Sequence, residues 1–329
     1  MSTWHYDHGL VIGKFLPPHR GHHFLIETAL AACRHLDVIV CRRSDDPIPA
    51  AERAAWLAEL HPRAEVRVID DHYDGEDSAL WARLTVEWLG RAPEVVFTSE
   101  AYGEAYAAHL GCRHVSVDPD RRAFPCSGTA VRLDPLAMWE YLAPPVRAWY
   151  ARRIVVLGAE STGTTTLAED LAVVLNTVWV PEYGRTYSAE HWEDGQHDWQ
   201  SPEFLVIAQE QARQEDLLAR ECNGILVCDT DPFATRLWHR RYVGGDFPEL
   251  DRFVAQRRPP ALYVLTGDEI PFVQDGLRDG EHLRHEMHGG FEEALRQQIT
   301  PWLLVRGSRE ERVAAVVHRL AALGVDRVT

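Results

Sequence analysis

The sequence predicts an α/β protein built as two tandem doubly wound parallel-sheet domains. Three observations carry that expectation. Two short β-branched runs, Gly9-Leu10-Val11-Ile12-Gly13 and Ile154-Val155-Val156-Leu157-Gly158, each end in glycine and lead through a polar turn into a helical pattern. Strand, glycine turn and helix form the opening unit of a doubly wound sheet, with anion chemistry at the helix N-terminus. Behind each opening, short apolar runs alternate with longer amphipathic ones, as parallel strands joined by helices require. The length of 329 residues suits two such domains. The turns differ, so the halves are not sequence repeats.

The elements follow in order. After the strand at 9–13, Phe24–His35 reads as helix, Asp37–Cys41 as strand, Ala50–Leu60 as helix and Val66–Ile69 as strand. Ala79–Leu89 is a helix, Glu94–Thr98 a strand, Gly103–Leu110 a short helix and Arg113–Val117 a strand. Pro135–Tyr141 has a helical pattern, and Pro144-Pro145 is expected to break the chain after it. The boundary falls between 144 and 152, giving domains 1–148 and 149–329. The second half continues with helix Thr164–Leu175, a long amphipathic helix Glu203–Glu221, strands Gly224–Cys228, Ala261–Leu265 and Leu303–Val305, and a closing helix Arg309–Leu323.

Composition narrows the function. Hydrophobic residues make up 46% and charged residues 26%, the balance of a folded globular chain. No apolar run approaches the ~20 residues of a membrane helix. Met1-Ser2-Thr3-Trp4-His5 lacks the basic patch and apolar core of a secretory signal, so a cytoplasmic location is expected. The net charge of −16 argues against non-specific binding of nucleic acid or anionic lipid and leaves small molecules as the expected partners. No helix-turn-helix fits before residue 9. The six cysteines are dispersed with no C-x-x-C pair, so neither a disulfide framework nor a zinc site is expected. Every basic residue is arginine except Lys14, which makes that position worth explaining. The oligomeric state stays open, a homo-oligomer included.

The first chemical motif is Gly13-Lys14-Phe15-Leu16-Pro17-Pro18-His19-Arg20-Gly21-His22, directly after the first strand. Glycine lets a nucleotide approach the backbone, and the helix start favours phosphate. The imidazoles of His19 and His22 can donate to phosphate oxygens as charge develops, and Lys14 adds a fixed charge. Gly13, Phe15 and Gly21 complete the nucleotide-binding stretch. A capping turn with two surface histidines is the bland alternative. Later in the same half, Ser127-Gly128-Thr129-Ala130-Val131-Arg132 opens a helix with hydroxyls, backbone N–H groups and an arginine, a set suited to the β- and γ-phosphates of ATP.

An H-x-G-H after the first strand with a late S-x-T-x-x-R resembles the nucleotidylyltransferase superfamily. Asp46-Pro47-Ile48-Pro49 with Arg53, and Thr98-Ser99-Glu100-Ala101-Tyr102-Gly103, look like the nicotinamide mononucleotide (NMN) adenylyltransferases of the bifunctional NadR type. The resemblance implies a Rossmann-like domain in which the NMN phosphate attacks the α-phosphorus of ATP, giving NAD and pyrophosphate. It assigns His19, His22 and Lys14 to the phosphates, Ser127, Thr129 and Arg132 to the β/γ end, and Arg53, Ser99 and Tyr102 to the mononucleotide site. Magnesium would bridge phosphates rather than occupy a protein cage.

In the second half, Gly158-Ala159-Glu160-Ser161-Thr162-Gly163-Thr164-Thr165 matches the P-loop G-x-x-x-x-G-K-[ST] except that Thr164 stands in the lysine position. Its backbone can still cradle phosphates, with Gly158, Ser161, Gly163, Thr164 and Thr166 along it, and Thr165 can still reach magnesium. Ile225-Leu226-Val227-Cys228-Asp229 is an apolar strand ending in a carboxylate suited to the same ion, and Asp231 follows. Asp275-Gly276-Leu277-Arg278 and Arg284 suit a lid that clamps a transferring phosphoryl group. Pro181-Glu182-Tyr183-Gly184-Arg185 offers substrate contacts through Glu182 and Arg185.

This order resembles the ribosylnicotinamide kinase half of the same family, which implies nicotinamide riboside and ATP as substrates. The family's occasional N-terminal DNA-binding domain has no counterpart here, so a repressor role is not expected. Thr164 leaves two readings: a kinase in which Arg278 or Arg284 supplies the missing charge, or a nucleotide sensor without catalysis. For the first half, adenylylation of another phosphate substrate stays as the rival. His282, His285 and His288 read as exposed polar residues rather than a metal site, and Trp192, Trp199 and Trp238 as packing residues that a nicotinamide ring could also stack on.

Overall fold

The computed structural model describes residues 4–75, 77–191, 198–273 and 281–325. The chain divides into two compact units, Met1–Val146 and Arg147–Thr329. The first runs β1 (Tyr6–Gly13), α1 (Arg20–Ala32), β2 (Cys33–Arg42), α2 (Ala50–Leu60), β3 (Glu65–Asp70), α3 (Ser78–Leu89), β4 (Val95–Thr98), α4 (Gly103–Leu110), β5 (Arg113–Ser116) and α5 (Gly128–Leu133). A 3₁₀ turn at Trp139–Tyr141 precedes α6 (Pro144–Tyr150). The second runs β6 (Arg152–Leu157), α7 (Thr164–Leu175), β7 (Trp179–Val180), α8 (Tyr183–His191), α9 (Ser201–Leu218), β8 (Ile225–Asp229), α10 (Pro232–Tyr242), α11 (Pro248–Gln256), β9 (Leu262–Thr266), α12 (Glu281–Arg296), β10 (Trp302–Val305) and α13 (Arg309–Ala322).

Each unit holds one parallel five-stranded sheet, ordered β3-β2-β1-β4-β5 and β10-β9-β6-β8-β7. Two parallel sheets with interleaved helices are the expected α/β architecture. The central strands are apolar because helices cover both faces. Leu10, Val11 and Ile12 of β1 bury into cores on alternate sides, with Val11, Val38 and Val40 on one face and Leu10, Ile12 and Ile39 on the other. Ile154 and Val156 of β6 pack with Leu167, Leu171, Val227 and Val264 in the second unit. In both sheets the first strand is central, so the crevice at its C-terminal end is where a doubly wound sheet places its ligand.

Local chemistry fixes the helix ends. The Asp77, Ser127, Asp231 and Ser308 side chains accept N–H groups of the first turns of α3, α5, α10 and α13. Gly90, Gly111 and Asn176 close α3, α4 and α7 in the left-handed region.

Three sequence expectations are corrected. The helix expected at Phe24–His35 starts at Arg20 and stops at Ala32, because β2 begins at Cys33 opposite Tyr6 with no connecting loop. Pro135–Tyr141 is not a helix but a turn followed by the 3₁₀ segment. Pro144-Pro145 does not break a helix but opens α6, since the first turn needs no N–H from those positions.

Candidate functional sites

In the first unit, β1 ends at Gly13 and the chain loops to α1. Phe15 turns it with φ of 47° and buries its ring edge-on to His22, centroids 5.1 Å apart. His19 is the N-cap residue of α1 but makes no side-chain cap bond, so its ring is free for other work. That ring stacks on His22 at 3.8 Å and meets Cys126 Sγ through Nδ1 at 3.2 Å. Gly21 leaves room for that ring: a Cβ would press on it, 3.1 Å from His19 Cε1. The two motifs of this half are joined directly. Arg132 donates to the Leu16 carbonyl, and a Cβ on Gly128 would stand 2.6 Å from that same oxygen.

Burial keeps the histidines neutral. It depresses His19 to about 4, helped by the charge of Arg121, and holds His22 well below its ordinary value. His23, bonded to His61 at 2.8 Å, is pushed by burial to about 3. Arg121 was not singled out from the sequence; its loop after β5 gives no motif to find it by.

These neutral rings make the unit acid-sensitive. A histidine whose folded-state value is depressed stays uncharged while the unfolded chain takes up protons. Stability is therefore full above the ordinary value of 6.5 and falls as pH drops below it. His19 alone is expected to cost roughly 2 kcal/mol at pH 5. Urea midpoints at pH 7 and pH 5 measure this, and His19→Gln should narrow the difference, His22 and His23 supplying the rest. Equal midpoints in the wild type would contradict it.

The other residues singled out in this half have diverse placements. Lys14 is exposed on the loop, and Thr129 and Arg132 are exposed beside each other, Arg132 Nη2 donating to Thr129 Oγ1 at 3.2 Å. The Ser127 hydroxyl caps α5 through Ala130 N at 3.1 Å. Tyr102 is 42% exposed and donates to the Ile12 carbonyl at 3.3 Å; Ser99 is half-buried nearby in sequence. Arg53 requires correction. It is fully buried, bound to Asp46 at 2.5 Å and to the Lys14 and Cys41 carbonyls, so it braces the loop after β1 instead of reaching a substrate.

In the second unit the loop between β6 and α7 has the conformation a phosphate cradle needs, with Ser161 at φ 57° and Gly163 at φ 83°. Gly158 is mandatory, since a Cβ would lie 2.2 Å from Thr266 Oγ1. Arg312 braces the loop from outside, donating to the Thr162 carbonyl at 2.7 Å while pairing with Glu269. Thr165 Oγ1 donates to Asp229 Oδ2 at 2.5 Å. Burial raises Asp229 to about 6, opposed by the hydroxyls of Thr165 and Thr164 and by the charge of Arg185.

The loop lines a cavity of about 230 Å³ with Thr166, Asp229, Glu182, Arg185 and an aromatic group of Trp199, Phe204, Trp238 and Tyr242. Trp199 lies 4.8 Å from Phe204 and 5.5 Å from Tyr242, ring centre to ring centre. Phe204 and Tyr242 were missed in the sequence because a helical aromatic looks the same whether it faces a core or a cavity.

Two residues leave the site. Asp231 shares a face with Asp229 only if the strand continues, but β8 ends at Asp229 and Thr230 turns at φ 71°. Asp231 instead caps α10 at Ala234 N and accepts the Tyr263 hydroxyl at 2.9 Å. Arg284 is buried and donates to the Asp268 and Ile270 carbonyls at 2.6 and 2.8 Å, so it holds that segment and does not line the P-loop cavity. Arg278 and Trp192 lie outside the described residues, as does the side chain of His282. Among the described residues no cluster of three or more His, Cys, Asp or Glu is arranged to hold a metal, and no helix is long and apolar enough to cross a membrane.

The comparisons with known proteins cover both units. Residues 153–312 match the model of an AAA domain. The trifunctional NAD biosynthesis/regulator protein NadR of Escherichia coli (strain K12) is 29% identical over 293 residues, 82% of this chain and 71% of that protein. The chain is a NadR homologue. The NadR of Salmonella typhimurium matches to the same extent, 29% over 293 residues. Two solved NadR structures share the fold: a complex with NR at TM-score 0.73 and 22% identity, covering 98% of each chain, and a complex with NAD and AMP-PNP at TM-score 0.76 and 20% identity, covering 100% of each.

Proposed function

We propose that this NadR homologue makes NAD in two steps. Residues 1–148 transfer the adenylyl group of ATP to nicotinamide mononucleotide, and residues 149–329 phosphorylate nicotinamide riboside with ATP to supply that mononucleotide. The observation that carries the first step is the stacked His19–His22 pair at the start of α1, tied to the α5 motif through Leu16. An oxygen of the NMN phosphate attacks the α-phosphorus of ATP, the bond to the β-phosphate bridging oxygen breaks, and pyrophosphate leaves. No protein bond forms; positioning and charge stabilisation do the work. His19 and His22 donate to the phosphate oxygens, Lys14 and Arg132 add fixed charge, and Gly13, Phe15 and Gly21 shape the nucleotide contact. Ser127 acts through the α5 N-terminus it caps, and Ser99 and Tyr102 face the mononucleotide.

In the second unit the riboside 5′-hydroxyl attacks the γ-phosphorus while the loop N–H groups hold the phosphates. Trp199, Trp238 and Tyr242 offer flat faces to the nicotinamide ring, and Glu182 offers a carboxylate to the ribose hydroxyls. The hydroxyl of Thr165 and the carboxylate of Asp229 form the hard oxygen donor set that magnesium prefers. When bound, magnesium neutralises the phosphate charge in both units. Among the described residues Arg185 is the basic residue lining the cavity, and it supplies the charge that Thr164 lacks. Small-molecule substrates fit the net charge of −16, and a cytoplasmic location fits the six free cysteines.

One assay separates the readings. The protein with Mg-ATP receives nicotinamide riboside in one tube and NMN in another, and NMN, NAD, ADP and pyrophosphate are followed. NAD in both tubes is the expected result. NAD from NMN alone would overturn the kinase half and favour nucleotide sensing, a reading that the bonds from Thr164 and Thr165 to Asp229 would then explain. No pyrophosphate from either tube would overturn the adenylyltransferase half.

A further inference from the structure

We propose that Cys126 is a positioning residue for His19: its thiol donates to Nδ1, so the ring carries its proton on Nε2, the nitrogen left to face the phosphate. This rests on the adenylyl-transfer reading of the first unit. Cys126 and His19 come from opposite ends of that unit's sequence and are both almost wholly buried, with Sγ and Nδ1 3.2 Å apart.

The direction of the bond follows from the sulfur's other partner. The Gly21 N–H points at Sγ, so the sulfur already accepts one hydrogen bond. Burial pushes the Cys126 thiol up against that N–H, and burial holds His19 neutral. Burial therefore disfavours a thiolate–imidazolium pair. The S–H proton needs an acceptor in a dry site, and Nδ1 is the one within reach. If Nδ1–H donated instead, the sulfur would accept twice and its own proton would be stranded. A neutral imidazole has one donor nitrogen and one acceptor, so occupying Nδ1 as acceptor places the donor at Nε2.

The arrangement explains two further features. His19 makes no cap bond to α1, so its place at the helix start does not fix its tautomer. Gly21 both brings its N–H to the sulfur and leaves room for the ring, since a Cβ there would press on His19 Cε1 and Nδ1 at 3.1 and 3.2 Å. Cys126 also precedes the α5 cap residue Ser127, so this contact adds to the Arg132–Leu16 bond in registering the histidine motif against the phosphate motif.

The test reads the tautomer and the rate separately. Two-bond ¹H–¹⁵N correlation spectra of the imidazoles, with the His19 signal assigned by its loss in His19→Gln, should show the Nε2–H form in the wild type and in Cys126→Ser. In Cys126→Ala that signal should move to mixed tautomers, and kcat for NAD formation should fall about tenfold with KM for ATP within twofold. The serine variant should recover most of that loss. Cys126→Val, which fills the space without a donor, serves if the alanine variant does not fold. An Nδ1–H form in the wild type, or an unchanged tautomer in both donor-free variants, would overturn the proposal. Absence of NAD formation by the wild type would overturn the adenylyl-transfer reading instead, and the spectra would still decide the tautomer.

Discussion

Replacing His19 or His22 by alanine is expected to lower NAD formation from ATP and NMN by roughly a thousandfold, the scale of losing a preorganised donor to a developing charge. The rings are stacked at 3.8 Å, His19 buried and His22 half-buried beside it, so they act as a unit on one phosphate group. Both are held neutral in the free protein, His19 near 4, so each offers an N–H rather than a full charge to ATP as it arrives. A donor used chiefly in the transition state lowers kcat and leaves KM for ATP nearly unchanged. The double replacement should cost little more than either single one, because the pair shares a target. Circular dichroism checks that each variant is folded. Rates near wild type in both single variants would remove the histidines from the mechanism.

Replacing Arg185 by alanine is expected to lower riboside phosphorylation by about a hundredfold, somewhat less than an arginine finger contributes elsewhere. The P-loop here places Thr164 where a lysine would contact the β- and γ-phosphates, and the Thr164 hydroxyl carries no charge to replace it. Arg185 lines the same cavity from α8, and its charge already acts on Asp229. In the Arg185→Ala background, Thr164→Lys should restore about tenfold or more by returning a cation to the loop. NAD formation from NMN is the internal control and should stay within twofold. Wild-type riboside phosphorylation by Arg185→Ala would assign the missing charge elsewhere.

The sheets were legible because their central strands are apolar on both faces, and their glycine turns fall at the ends of β1 and β6. Helices α2, α4 and α7 are found where the pattern places them, the last two closed by Gly111 and Asn176 in the left-handed region. Helices α8, α10 and α11 were not anticipated. Their polar and aromatic positions carry a cavity wall and each other's packing. Among the site residues, backbone-defined ones were the most readable, because Gly21, Gly158 and Gly163 are constrained by local geometry. Charged ones were least readable. Arg53, Arg284 and Asp231 look like substrate contacts in sequence, yet each is buried on a carbonyl, a carboxylate or a helix cap. Long-range partners decide that, and neighbouring residues say nothing of them.

The central position of the first strand in each sheet bears on synthesis. β1 meets its neighbour β2 as soon as residue 42 has emerged, so the first sheet can start to assemble almost at once. β6 has no such luck: its two neighbours begin only at Ile225 and Leu262. At about 5–20 residues per second, the apolar Ile154–Leu157 run spends several seconds outside the ribosome with both edges unpaired. Long loops must also close before those pairings are rewarded, which slows them further. Chaperone demand and aggregation during expression should therefore concentrate on the second unit, and a translational pause once residue 266 has emerged would give β6 time to pair with both of its neighbours.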